Sequence, residues 1–154
     1  MQPKIRNFLW RAIKDTIPTK QNLKRQCVIS SDCCDQCQNT TENTLHALWS
    51  CPSLSQVWSL DHSWRSCFTK TFQSFRILVE CIINDGLDLA NFATISWMVW
   101  HRRNSLRTTN KLFPIQQVLP EARAIRAAFV RSIPPKPPHP PVRDSERVIW
   151  KPPP

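Results

Sequence analysis

Between Cys34 and Cys51 the chain reads Cys34-x2-Cys37-x8-His46-x4-Cys51, four soft donors in one short segment. Two cysteines two residues apart can grip a tetrahedral metal from a tight turn, and a later histidine and cysteine close its coordination sphere. A chain that ligates through all four must gather residues 34–51 into a knuckle, and that requirement restricts everything folded around it. The set fits a closed, structural site for one Zn(II) ion. Three thiolates and a neutral imidazole give such a complex a formal charge of about −1, which neighbouring cations and N–H donors must offset. Lys24 and Arg25 are candidates for that work.

The chain holds seven cysteines, Cys27, Cys33, Cys34, Cys37, Cys51, Cys67 and Cys81, and the plain alternative is that they are ordinary buried thiols. A Cys-x2-Cys pair by itself does not decide between the two, whereas the completed Cys-Cys-His-Cys set favours a metal. Cys33 competes with Cys34, since it pairs with Cys37 across a three-residue gap. Disulfides are disfavoured because the count is odd and the N-terminal MQPKIRNFLW is charged where a secretory leader would be apolar. The expected location is therefore a reducing, intracellular compartment, nuclear or cytoplasmic, with Cys27, Cys67 and Cys81 as free thiols.

No apolar run approaches the roughly 20 residues that cross a bilayer, so no membrane partner is expected. Glycine occurs once, at Gly86, which removes glycine-rich phosphate loops and with them nucleotide-cofactor chemistry. The formal net charge is +10, and it is clustered. Lys4, Arg6, Arg11, Lys14, Lys20, Lys24 and Arg25 face Asp15 alone in the first thirty positions. Arg102, Arg103, Arg107, Lys111, Arg123, Arg126 and Arg131 are opposed by Glu121. Clustered cations favour a polyanion, because neutralising phosphates releases condensed counterions. The competing reading is a solvated helix face.

The hydrophobic pattern is helical throughout, and the fold class is all-α. Residues 3–15 form an amphipathic helix with Pro3 in its first turn and Ile5, Phe8, Leu9 and Ile13 on one stripe. Lys4, Arg11 and Lys14 lie off that stripe. Thr19 caps a short helix over 20–26 that contacts the core through Leu23, and 28–38 form the metal turn. Thr41, with Glu42 behind it, opens a helix carrying Leu45, His46, Leu48 and Trp49. His46 and Cys51 are about 500° apart on a regular helix, so the helix must break near Cys51. Pro52 supplies the break and starts a new helix bearing Leu54, Val57 and Trp58. Phe75, Leu78, Val79, Ile82 and Ile83 mark the buried stripe of a helix stopped at Asn84-Asp85-Gly86. A central helix spans Leu89 to Leu106, and a last one spans 115–131 with Val118, Ala122, Ile125 and Phe129 inward. Residues 134–154, rich in proline, read as a disordered, extended linker.

Several segments together resemble the zinc-binding domain of plant LINE-type, non-LTR retroelement reverse transcriptases: PKIRNFLWRA (3–12), IPT (17–19), LKRQCV (23–28), CDQC (34–37), EN-TLHALWSCP (42–52) and VW (57–58). WMVWHRRN (97–104) resembles the spacer before that family's ribonuclease H domain, and VIWKPPP (148–154) the linker into it. The resemblance implies a zinc domain over 1–66, a helical spacer over 67–133 and a tail over 134–154, with the polymerase and ribonuclease H domains missing. The acidic residues are scattered singly and offer no polymerase or nuclease carboxylate set.

The function that follows is a non-catalytic, retroelement-derived zinc module with no small-molecule substrate. Lys4, Arg11, Lys14, Lys20, Lys24 and Arg25 would contact the phosphates of RNA or DNA, and Trp10 or Trp49 would stack on bases unless core packing claims them. The alternative is a zinc-stabilised relic or protein-interaction domain whose charge is incidental. An enzyme is the least favoured: a four-ligand zinc has no open position, and nothing local orients Cys67 or Cys81 against His62 or His101.

Overall fold

The computed structural model describes residues 1–109 and 113–134. Lys111 and nearly all of the proline-rich tail, including its expected disorder, lie outside the described residues. Among those described there are seven α-helices and no strand; an isolated antiparallel bridge between Cys33 and Thr41 provides the extended pairing. The helices are α1 (Pro3–Ile13), α2 (Lys20–Arg25), α3 (Ser55–Ser59), α4 (Arg65–Phe68), α5 (Phe75–Asn84), α6 (Leu89–Thr109) and α7 (Val118–Ser132). No helix among the described residues is long and apolar enough to cross a membrane.

The order of the chain explains the packing. α6 buries Phe92, Ala93, Ile95, Met98, Val99 and Trp100 on several faces, as its nearly continuous apolar run requires, and it touches α1, α5, α7 and the turn that carries His46. An aromatic group fills the centre. Phe92 lies 5.2 Å from Trp58, 5.5 Å from Trp64 and 5.8 Å from Phe75 between ring centroids. Trp58 Nε1 donates to the Leu48 carbonyl at 3.1 Å, so the indole is satisfied where it is buried.

Four local expectations change. α2 turns Asn22 inward rather than Leu23: the Asn22 amide donates to the carbonyls of Asp15 and Ile17 at 2.8 and 2.9 Å, closing the α1–α2 corner that Asp15 enters with φ 53°. The helix before the metal site is capped by Asn43, whose Oδ1 accepts from His46 N at 2.7 Å, not by Thr41, which is held in the bridge to Cys33. Ile83 is 55% exposed because α5 packs on the core through Phe75, Leu78, Val79 and Ile82. α1 places Ala12 fully inside and Ile13 at the edge of the core.

Candidate metal centre

Cys34 and Cys37 sit on a tight turn whose strand-like arms are tied by Cys34 N–H to Thr40 O at 2.9 Å and Glu42 N–H to Asp32 O at 2.8 Å. The turn ends at Gln38, which adopts φ 55°. His46 begins a wide π-helical turn, His46–Ser50, in which Cys51 N–H donates back five residues to His46 O at 3.1 Å. That i→i+5 bond places residue 51 nearly above residue 46, and Cys51 then leaves the helix with extended backbone (ψ 128°) before Pro52. The chain breaks at Cys51 as proline demands, while the π turn removes most of the angular separation that a regular helix would impose.

The four side chains converge. The Sγ atoms of Cys34, Cys37 and Cys51 and a His46 ring nitrogen all lie within 4.8 Å of one another. Cys34 Sγ is 3.9 Å from Cys51 Sγ, and Cys37 Sγ is 3.3 Å from His46 Nε2. A tetrahedral zinc with Zn–S of about 2.3 Å and Zn–N of about 2.0–2.1 Å has S···S and S···N edges of about 3.8 and about 3.5 Å. Both of these edges are close to those of a tetrahedral zinc site, and the four donors can hold a metal ion. Cys33 stays outside it, in the bridge to Thr41.

The four donors perturb one another's proton affinities. The hydrogen bond with Cys51 holds Cys34 far below the ordinary thiol range, burial opposing it and His46 assisting, with further N–H contacts from Cys37 and Gln36 of the turn. That same bond, together with burial, drives Cys51 upward. The Asn39 N–H lowers Cys37, and the hydrogen bond with Cys34 raises His46.

The cations beside the centre are not the expected ones. Lys24 pairs with Asp32 at 3.1 Å and Arg25 lies 3.9 Å from Asp15. A small cavity touching Cys34 and Cys51 is instead walled by Arg102 and Arg103 of α6, both buried. Arg103 is paired with the fully buried Glu42, whose other oxygen accepts the Lys20 backbone N–H at 2.8 Å. Arg102 donates to neutral acceptors, Phe113 O at 2.7 Å and Gln36 Oε1 at 3.2 Å. Among the described residues its charge has no carboxylate partner, so it would offset the −1 of a three-thiolate zinc complex. Burial lowers both guanidinium pKa values, which makes a nearby anion more valuable still. A run of Arg next to a tryptophan-rich helix was the available signal, and it reads equally well as a solvated basic end.

The structure separates the six phosphate-contact candidates. Lys20 pairs with Asp35, and Lys24 and Arg25 face acids as described. Lys4 and Arg11 on α1, and Lys14 just after it, are exposed. Lys4 Nζ lies 4.5 Å from the Trp97 ring centroid, and Arg11 donates to Thr16 O at 3.3 Å. Trp10 is 59% exposed, whereas Trp49 packs on the core, 5.0 Å from Trp58 and 5.1 Å from Phe68. In the second basic group Arg126 is bound to Asp88 at 2.6 Å and Arg107 donates to Pro18 O at 3.4 Å.

Residues 1–58 match the family model described as zinc-binding in reverse transcriptase. The match contains all four converging ligands and ends at Trp58, the residue that closes the aromatic group over the π turn. It covers the zinc-binding region and no polymerase domain. No curated protein and no solved structure matches the chain.

Proposed function

We propose that the chain is a non-catalytic module in which one structural zinc ion, held by Cys34, Cys37, His46 and Cys51, fixes the fold, and α1 binds nucleic acid. The family match and the four-donor geometry support the zinc half. Four protein donors leave a metal no open position for substrate or water, which argues against hydrolysis. Descent from a plant LINE-type retroelement belongs to the same reading.

The observation that carries the nucleic-acid half is the exposed Trp10. Arg6 lies four residues before it on the same side of α1, with Arg11 adjacent and Lys14 at the helix C-cap. An exposed indole beside cations that have no acidic partner among the described residues is suited to a base stacked between phosphate contacts. Lys20, Lys24 and Arg25 are neutralised by acids and form the scaffold rather than the contact surface in this reading. Their pairing favours the second possibility, a zinc-stabilised structural domain, and the two make different predictions.

Titration of the zinc-loaded chain with single-stranded DNA and RNA at several salt concentrations distinguishes them. Affinity should fall by about 0.7 log units per log unit of salt for each phosphate contact. Lys4→Gln, Arg11→Gln and Lys14→Gln together should flatten that slope by about 2, and Trp10→Ala should weaken binding roughly tenfold or more without changing the slope. A triple variant that binds like the parent, or a parent that does not bind at low salt, leaves the structural reading.

A further inference from the structure

Outside the metal centre a second group of reactive side chains forms where α4 meets α5. The Sγ atoms of Cys67 and Cys81 and a carboxylate oxygen of Asp85 lie within 4.8 Å of one another. Lys70 closes the group: its Nζ is 3.2 Å from Cys81 Sγ and 2.8 Å from Asp85 Oδ2, while the Cys81 thiol donates to Asp85 at 3.5 Å. The two thiols differ in access. Cys67 is 0% exposed and belongs to the core, whereas Cys81 is partly exposed on α5.

We propose that Cys81 and Cys67 are an oxidisable dithiol, in which Cys81 is the thiol attacked first by a small disulfide and Cys67 resolves the adduct into an intrachain bridge. Cys81 is the accessible thiol of the pair, and the Lys70 ammonium, also bound to Asp85, lies 3.2 Å from its sulfur, where it can stabilise the charge that develops as that sulfur attacks. Cys67 is fully buried, which denies a reagent access, so the reaction does not begin there. The reaction balances with a low-molecular-weight disulfide as oxidant. Cys81 sulfur attacks one sulfur of RSSR, forming Cys81–S–S–R and releasing RSH. Cys67 sulfur then attacks Cys81 sulfur, forming Cys67–S–S–Cys81 and releasing the second RSH. Two electrons and two protons pass from the dithiol to RSSR. A metal is the competing occupant of these donors, but the ammonium contacts both Asp85 and Cys81 where it would bind, and no fourth donor joins them among the described residues.

The test uses the full chain loaded with zinc, so that the four ligand residues are protected, and oxidised glutathione as probe. Non-reducing peptide mapping should find Cys67 linked to Cys81, with exposed Cys27 carrying glutathione and no intrachain partner. Cys67→Ala should stop the reaction at the Cys81–glutathione adduct, Cys81→Ser should leave Cys67 unmodified, and Lys70→Met should slow adduct formation at Cys81 severalfold. Should Cys67→Ala not fold, the wild-type map decides alone. A map in which Cys67 stays free while Cys81 is capped overturns the proposal. So does a second equivalent of zinc that is retained by the parent and lost in Cys81→Ser.

Discussion

The chain gathers cysteine sulfurs in two places, and the contrast between them shows what converts proximity into a particular chemistry. In both groups three or more donor atoms lie within 4.8 Å. Around Cys34, Cys37, His46 and Cys51 the compensating cations stand one layer back, on α6, and the donors face each other directly. Around Cys67 and Cys81 an ammonium lies among the donors themselves. Four converging ligands with positive charge behind them suit a cation, while two neighbouring thiols, one of them beside an ammonium, suit exchange chemistry.

The largest effect expected from disturbing the first group is loss of its metal. Cys37→Ser, or a strong chelator, should remove most of the zinc and lower the thermal midpoint sharply. Structural zinc contributes on the order of 10 kcal/mol in small fingers, and the helical packing of α5, α6 and α7 should retain part of the fold here. Cys81→Ser should leave zinc content untouched. If the two substitutions cost equal amounts of zinc, the distinction between the groups collapses.

Next comes the second layer. Arg103→Met strands the buried Glu42 carboxylate and should destabilise the chain by about 3–5 kcal/mol in denaturant titration, whereas adding Glu42→Gln should recover much of that loss. Arg102→Met removes the charge that faces the thiolates through neutral partners, so it should weaken zinc affinity, measured by chelator competition, more than it lowers the stability of the metal-free chain. Equal losses in both measurements would make Arg102 an ordinary packing residue.

A smaller effect belongs to the cap. Asn43→Ala should cost about 1 kcal/mol, because the His46 N–H loses its acceptor, and zinc affinity should fall modestly as the π turn loosens. No change in either quantity would mean that the turn is held by its i→i+5 bond and by Pro52 alone.

The long helices were legible because their apolar spacing exceeds any local conflict: α1, α5, α6 and α7 follow Ile5/Phe8/Leu9, Phe75/Leu78/Val79/Ile82, the run around Phe92 to Trp100, and Val118/Ala122. The ligand set was legible because donor spacing is a covalent fact. What escaped was settled by tertiary partners. Asn22 goes inside because two free carbonyls at the α1–α2 corner need a donor, and no period reports that. Arg102 and Arg103 look like a basic helix end until Gln36 and Glu42, some sixty residues earlier, are folded against them. The π turn is invisible to a rule built on regular helices, and it follows from the need to bring His46 and Cys51 to one point.

X-ray absorption at the zinc edge of the purified full chain tests the central claim most directly. One zinc per chain should show three sulfurs at about 2.3 Å and one nitrogen at about 2.0–2.1 Å. The spectrum should be unchanged in Cys33→Ser and should lose a sulfur, or the metal, in Cys34→Ser. Protein prepared with zinc that carries none, or a zinc shell with fewer than three sulfurs, would contradict the assignment of Cys34, Cys37, His46 and Cys51.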